Sequence, residues 1–154
     1  MPHEAEVHAQ IEVPVPREEA YRRFLELGRW WPAAYSFAGE AGFAGGRIEP
    51  HPGGHWYEED RSGQRLSWGP VRMAAPGRRL VLGWGVALDR TPEAPERTSE
   101  VDVDFSPSNG GTRVEIRHRQ MNRHGEGWAA FHDAMRGPNG WPMILDAFAA
   151  ACGR

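Results

Sequence analysis

Asn139-Gly140-Trp141-Pro142-Met143-Ile144-Leu145-Asp146-Ala147-Phe148-Ala149-Ala150-Ala151-Cys152-Gly153-Arg154 is the stretch that decides the fold. Trp141, Leu145, Phe148 and Cys152 recur at helical spacing, with Ile144 beside them, so they form one apolar stripe. Pro142 suits a first helical turn, where its missing N–H would have no partner anyway. Gly153 can close the C-terminus. A helix this short draws most of its stability from packing. Its broad stripe therefore needs a large apolar surface to lie against.

The middle of the chain supplies that surface as a series of strands. Val7, Ala9, Ile11 and Val13 alternate with polar residues and predict a half-buried first strand. A helix follows from Pro16 or Arg17, with Tyr21, Phe24 and Leu25 on its apolar side and Gly28 as its stop. A Gly-rich aromatic stretch then runs to Gly46. So many aromatics are not expected to lie fully in water. Short strands are expected over residues 47–50, 55–59, 64–72 and 79–86, with turns at Gly53-Gly54, 60–63 and 75–77. Residues 89–97 read as a surface loop. Val101, Val103 and Phe105 alternate with acids, and Thr112, Val114 and Ile116 with Arg113, Glu115 and Arg117. Those charges fit the solvated face of an antiparallel hairpin. Residues 121–125 read as a link. A second helical stretch over 126–136 places Trp128, Phe131 and Met135 on one side, and Gly137-Pro138 breaks it before the last helix. The order predicts an α+β fold in which a curved antiparallel sheet wraps a long C-terminal helix.

At 154 residues the chain reads as one domain, 1–154, with a core rich in its seven Trp and six Phe. The net charge of −3 gives no reason to expect nucleic acid or an anionic membrane. All eighteen basic residues are Arg, which excludes Schiff-base lysine chemistry and a phosphate-loop lysine. A single Cys152 cannot form an internal disulfide, and it reads as a small core residue. The start of the chain has no basic, apolar leader pattern, and no apolar run is long enough for a membrane span. A cytoplasmic location is expected. No cofactor fingerprint survives inspection: Gly83-Trp84-Gly85 lacks the third small residue and the following helix of a dinucleotide site. No Gly-x-Ser-x-Gly elbow is present, and the histidine spacings match no common metal site.

Several motifs resemble the family named for the activator of heat-shock-protein 90 ATPase, within the START-like (SRPBCC) helix-grip superfamily. They are the helix Glu18-Glu19-Ala20-Tyr21-Arg22-Arg23-Phe24 followed by Trp30-Trp31, then Gly53-Gly54-His55-Trp56-Tyr57-Glu58 and Trp68-Gly69-Pro70-Val71. Pro76, Leu80 and Trp84 continue the match, and Gly111-Thr112-Arg113-Val114-Glu115 and Gly140-Trp141-Pro142-Met143-Ile144-Leu145 close it. Ala75-Pro76 stands where the family often has Pro-Pro. Read as one domain, the chain is expected to be without the N-terminal domain of the eukaryotic chaperone activators, which counts against chaperone activation. The resemblance implies a cavity between sheet and C-terminal helix but carries no transferable catalytic set.

The expected cavity lining is drawn from Trp30, Trp31, Phe37, Phe43, Trp56, Trp68, Trp84, Phe105, His118, Trp128, Phe131, Trp141, Leu145 and Phe148. Most of these aromatics are expected to serve as core, and buried indole N–H groups would then need partners from the protein, a ligand or water. Three functions fit. The preferred one is binding of a small hydrophobic molecule without chemistry, because no acid–base pair is assembled in the sequence. The second is an enzyme of polyketide cyclase or aromatase type in the same cavity, for which Glu58 or His118 would be the acid or base. The third is a chaperone-related interaction module, with a protein partner that the sequence does not identify.

Overall fold

The computed structural model describes residues 5–153; the first four residues of the N-terminal reading and Arg154 of the C-terminal stretch lie outside them. Seven strands form one antiparallel sheet in the order β1-β7-β6-β5-β4-β3-β2. They are β1 (Val7–Val13), β2 (Phe43–Ile48), β3 (His55–Asp60), β4 (Arg65–Ala75), β5 (Arg79–Trp84), β6 (Ser99–Ser108) and β7 (Gly111–Arg119). From β2 to β7 each strand pairs with the next in sequence, and β1 closes the far edge by pairing with β7. The helices are α1 (Arg17–Leu25), a short α2 (Gly39–Gly42), α3 (Trp128–Arg136) and α4 (Trp141–Ala151).

The sheet curves around the C-terminal helices, as the helix-grip reading expects. Register shifts at Phe43/Gly45, Trp56/Tyr57 and Val71/Met73 supply local bends, since an extra residue on one strand increases twist. Gly69 marks the tightest point. Its φ is +149°, and a Cβ there would lie 2.0 Å from the Gly83 carbonyl oxygen. Only glycine lets β4 and the end of β5 approach this closely.

The C-terminal stripe behaves as its spacing predicts. Trp141, Leu145, Phe148 and Cys152 are all buried, with Ile144 beside them. Phe148 meets Phe24 of α1 and Trp30 at ring-centroid distances of 5.1 and 5.2 Å. Edge-to-face contacts like these suit the aromatic quadrupole. The long C-terminal helix is built as α3 and α4, broken at residues 137–140. Gly140 is needed at the break, because a Cβ would meet the Met135 carbonyl oxygen at 2.2 Å.

The acids of the hairpin face do pair across strands, but with Arg119 and Arg79; Arg113 and Arg117 lie instead by Glu12 and Glu6, and Asp102, read as solvated, is buried in its pairing. Arg119 of β7 contacts Glu100 and lies 3.3 Å from Asp102, and Arg79 of β5 grips Asp102 at 2.7 and 2.6 Å. Several element boundaries differ from the sequence reading, among them the start of α3 at Trp128 rather than at residue 126, and a single helical turn at Met121–His124 where a link was expected. Strand β2 starts at Phe43 rather than at residue 47. Gly45 and Gly46 look like breakers, yet they pair with β3 because the turn at Leu27–Arg29 crosses directly over them. A Cβ on Gly28 would sit 2.5 Å from the Gly46 nitrogen, and one on Gly46 would sit 2.6 Å from the Tyr57 carbonyl oxygen of β3, so both positions require glycine. Strand β4 continues past residue 72 to Ala75. Strand β5 ends at Trp84, two residues early, where Val86 leaves to bridge Pro92.

Candidate functional site

A pocket of about 310 Å3 opens between the sheet and the C-terminal helices. Trp68 of β4 and Trp84 of β5 supply its sheet side, and Trp31 joins them from the loop after α1. Phe131, Ala134 and Met135 of α3 and Ile144 of α4 supply the helical side. Tyr35, residues 86–88, Arg90, Asn139 and Gly140 complete the lining. The indoles pack on one another: Trp31 to Trp68 at 5.0 Å and Trp68 to Trp84 at 5.4 Å, both edge to face. Trp84 then meets Phe131 at 6.0 Å. The result is a rigid apolar wall of a size suited to a small molecule, for which sites span roughly 300–1,000 Å3.

Behind the wall lies Glu58 of β3, with no solvent exposure. Its carboxylate accepts hydrogen bonds from the Trp68 indole N–H at 2.8 Å, the Phe37 N–H at 3.1 Å, the Ala38 N–H at 3.4 Å and the Ser36 hydroxyl. A buried carboxylate is expensive unless its lone pairs are satisfied. Here the donors satisfy them, and in doing so they fix both Trp68 and the rim segment 36–38. Glu58 is a post for the pocket wall.

A second buried network lies behind Trp84 and Phe131. The Trp141 indole N–H donates to His118 Nδ1 at 3.1 Å. An indole can only donate, so the proton of a neutral His118 sits on Nε2 and is given to Ser99 Oγ, 2.8 Å away. The Ser99 hydroxyl then donates to His124 Nε2 at 2.7 Å, and His124 Nδ1–H donates to Glu93 at 2.8 Å. Burial, with repulsion from His124 and His132 added, drives the His118 pKa down to about 3, so its ring is neutral near pH 7. The chain Trp141–His118–Ser99–His124–Glu93 links α4 through two strands to the loop at the pocket mouth.

That mouth loop is tightly built. Ala87 N–H bonds to Thr91 O at 2.7 Å and Arg90 N–H to Ala87 O at 2.9 Å. Asp89 accepts from the Thr91 N–H and hydroxyl, which hold its carboxyl below the usual range. Arg90 sits at φ +70°, a left-handed conformation uncommon for a residue with a side chain. Its Nη2 reaches over the rim to the Tyr35 carbonyl oxygen at 3.2 Å, and the Tyr35 hydroxyl donates to the Asn139 carbonyl oxygen at 2.5 Å. Three separate segments are thereby tied around the opening.

The structure gathers Trp31, Trp68, Trp84 and Phe131 of the expected lining into the pocket. Trp30, Trp56, Phe105, Trp141, Leu145 and Phe148 pack into the core instead, where close ring neighbours or backbone acceptors occupy them. Phe37, Phe43 and Trp128 are partly exposed outside it. His118 and Glu58 are fully buried, but each lies one aromatic ring behind the lining, so neither faces a bound molecule. The lining residues that the expected set did not include are Tyr35, the 86–88 segment, Arg90, Ala134, Met135, Asn139, Gly140 and Ile144. Ile144 was legible on the helical stripe, whereas Arg90 and Asn139 sit in loops whose path no periodicity announces. Among the described residues no group of three or more His, Cys, Asp or Glu is placed to hold a metal, and no helix is long and apolar enough to cross a membrane.

No curated protein matches the chain. Among solved structures, the anthrahydroquino-gamma-pyrone synthase Txn09 is 32% identical, aligned over 98% of this chain and 99% of its own, with a TM-score of 0.66. The self-sacrificing resistance protein CalC from Micromonospora echinospora is 28% identical over 97% of this chain and 95% of its own, with a TM-score of 0.68. The Aha1 dimer from Colwellia psychrerythraea, 14% identical over 96% of this chain and 95% of its own with a TM-score of 0.61, shares the fold. The family described as Activator of Hsp90 ATPase homolog 1-like protein matches residues 14–153. With its sheet wrapped on the C-terminal helices and a pocket between them, this chain belongs to that family, within the helix-grip superfamily.

Proposed function

We propose that this protein binds a planar, polycyclic aromatic molecule of polyketide type in the pocket and promotes its ring closure. The observation that carries the reading is the wall of Trp31, Trp68, Trp84 and Phe131, a slot of flat apolar surfaces between sheet and helices. The 32% identity to a gamma-pyrone synthase over almost the full length of both chains supports the chemistry. Ring closure, in which the phenol oxygen adds to a side-chain carbonyl and the resulting hemiketal loses its hydroxyl as water, is a reaction that such a slot can assist without an acid–base pair in its lining. A flexible precursor loses most of its rate to the search for a reactive conformation, and holding it folded can supply several kcal/mol (roughly 7–11 at the limit). The apolar walls exclude water from the reacting carbonyls. Glu58, with its lone pairs taken up by Trp68 and the rim, and His118, behind Trp84, serve to hold those walls still.

The test is turnover of an anthraquinone carrying a free phenol and a side-chain 1,3-diketone, followed by liquid chromatography and mass spectrometry. The expected result is one cyclised product formed faster than in buffer, with the rate lost in Ile144→Trp, which fills the slot. Binding of the same compound with an unchanged product mixture and rate would leave a carrier without chemistry.

A further inference from the structure

The polar groups of the pocket point to a more specific ligand class, and this rests on the reading of the pocket as an aromatic slot. Arg90 is the charged side chain of the lining, and among the described residues no acid lines the pocket. Arg90 also has no carboxylate partner among the described residues. The acid next to it in sequence, Asp89, is turned to Thr91 instead, and the guanidinium makes a single contact to a neutral carbonyl, Tyr35 O. Most other arginines near acids are committed: Arg79 to Asp102, Arg119 to Glu100, Arg113 to Glu12 and Arg117 to Glu6. The indole N–H groups of Trp31 and Trp84, both in the wall, are buried without an acceptor in the protein. By contrast, Trp30, Trp56, Trp68 and Trp141 each donate to a protein atom. The rim thus carries one cation without a carboxylate partner, above a wall in which two buried indole N–H groups have no acceptor.

We propose that the ligand is an acidic aromatic, with a carboxylate or ionised phenol held by Arg90 at the mouth and its ring system in the slot. The positive φ at Arg90 and the Ala87–Thr91 turn hold the guanidinium at the rim before any ligand arrives. A planar guanidinium matches a carboxylate or phenolate–carbonyl edge in two-point fashion. Arg90 is on this account the residue that selects charge, while the Trp wall selects shape.

The experiment titrates tryptophan fluorescence with anthraquinone-2-carboxylate and with its neutral isostere anthraquinone-2-carboxamide, in the wild type and in Arg90→Gln. Arg90 is exposed, so the variant is expected to keep the wild-type melting temperature, which is measured alongside. The wild type should bind the acid about tenfold more tightly than the amide, the size of one charge-assisted contact at a partly exposed site. Arg90→Gln should erase that preference, so that acid and amide bind with equal affinity. Arg90→Lys should keep part of the preference, since it restores charge without the fork. Equal affinity of the wild type for both compounds, or a preference that survives in Arg90→Gln, overturns the role of Arg90 while leaving the aromatic slot intact. Failure of the wild type to bind either compound overturns the slot itself.

Discussion

Removing the Ser99 hydroxyl cuts the buried chain at its centre. Ser99 is fully buried at the start of β6, and its oxygen both accepts from His118 and donates to His124. In Ser99→Ala the His118 Nε2–H loses its acceptor and His124 Nε2 loses its donor. Neither ring can turn to water, since both histidines are buried. Each unmet buried group costs about 1–3 kcal/mol, so with two of them the variant should lose roughly 2–6 kcal/mol. In a domain of this length that is a fall of roughly 4–24 °C in melting temperature. Urea denaturation followed by tryptophan fluorescence and circular dichroism gives the loss directly. Trp141→Phe removes the other partner of His118, leaving Nδ1 unmet. The double variant should be less damaging than the sum, by ~0.5 kcal/mol or more, because both changes strike one ring. A loss below ~0.5 kcal/mol in Ser99→Ala, or strict additivity, would refute the view that this network braces the pocket.

His118 is held neutral down to about pH 3, whereas an unfolded histidine takes up its proton near 6.5. Its contribution to stability is therefore complete above pH 6.5 and is lost as pH falls toward 3, by ~1.4 kcal/mol per pH unit. Denaturant midpoints between pH 7 and 4 should fall less steeply in His118→Asn than in the wild type, and parallel curves would contradict the assignment. Neighbours on α4 should also behave oppositely. Leu145 is 1% exposed and outside the pocket, so Leu145→Trp should overpack the core and lose ~1–3 kcal/mol, whereas Ile144 borders the pocket, so Ile144→Trp should fold with little loss and block anthraquinone binding. Equal destabilisation by the two changes would place both residues in solid core.

Much of the fold was legible because its signals are periodic. The helical stripe from Trp141 to Cys152 and the alternation through β1 and β7 state which faces are buried, whereas in β6 Asp102 is buried on the face that alternation assigns to solvent. The C-terminal break was marked by Gly137-Pro138. What could not be read is set by closeness in space. Gly45-Gly46 looks like a break until the crossing turn at Leu27–Arg29 is known. The site shows the same division. Trp31, Trp68, Trp84 and Phe131 were named because large aromatics are where cavities find walls. Trp56 and Phe148 have the same chemistry and could not be told from them, since lining and core differ by a few ångströms of helix placement. Arg90 was hidden in a loop read as surface, and its value depends on Asp89 being turned away to Thr91. The paired roles of Glu58 and His118 were also beyond the sequence. Both are buried as their strands suggest, but only the structure puts an indole between each of them and the pocket.

The central claim is that an aromatic molecule enters between Trp31, Trp68, Trp84 and Phe131. The most direct measurement is a two-dimensional 15N–1H spectrum of the indole N–H groups, assigned by single Trp→Phe changes, during titration with anthraquinone-2-carboxylate. The N–H groups of Trp31 and Trp84, which have no acceptor in the protein, should shift most, with Trp68 next. Trp30, bonded to Phe24 O at 3.1 Å behind the wall, and Trp128, outside the pocket, should stay in place. Shifts concentrated on Trp30 or Trp128, with Trp31 and Trp84 unmoved at saturation, would contradict the account.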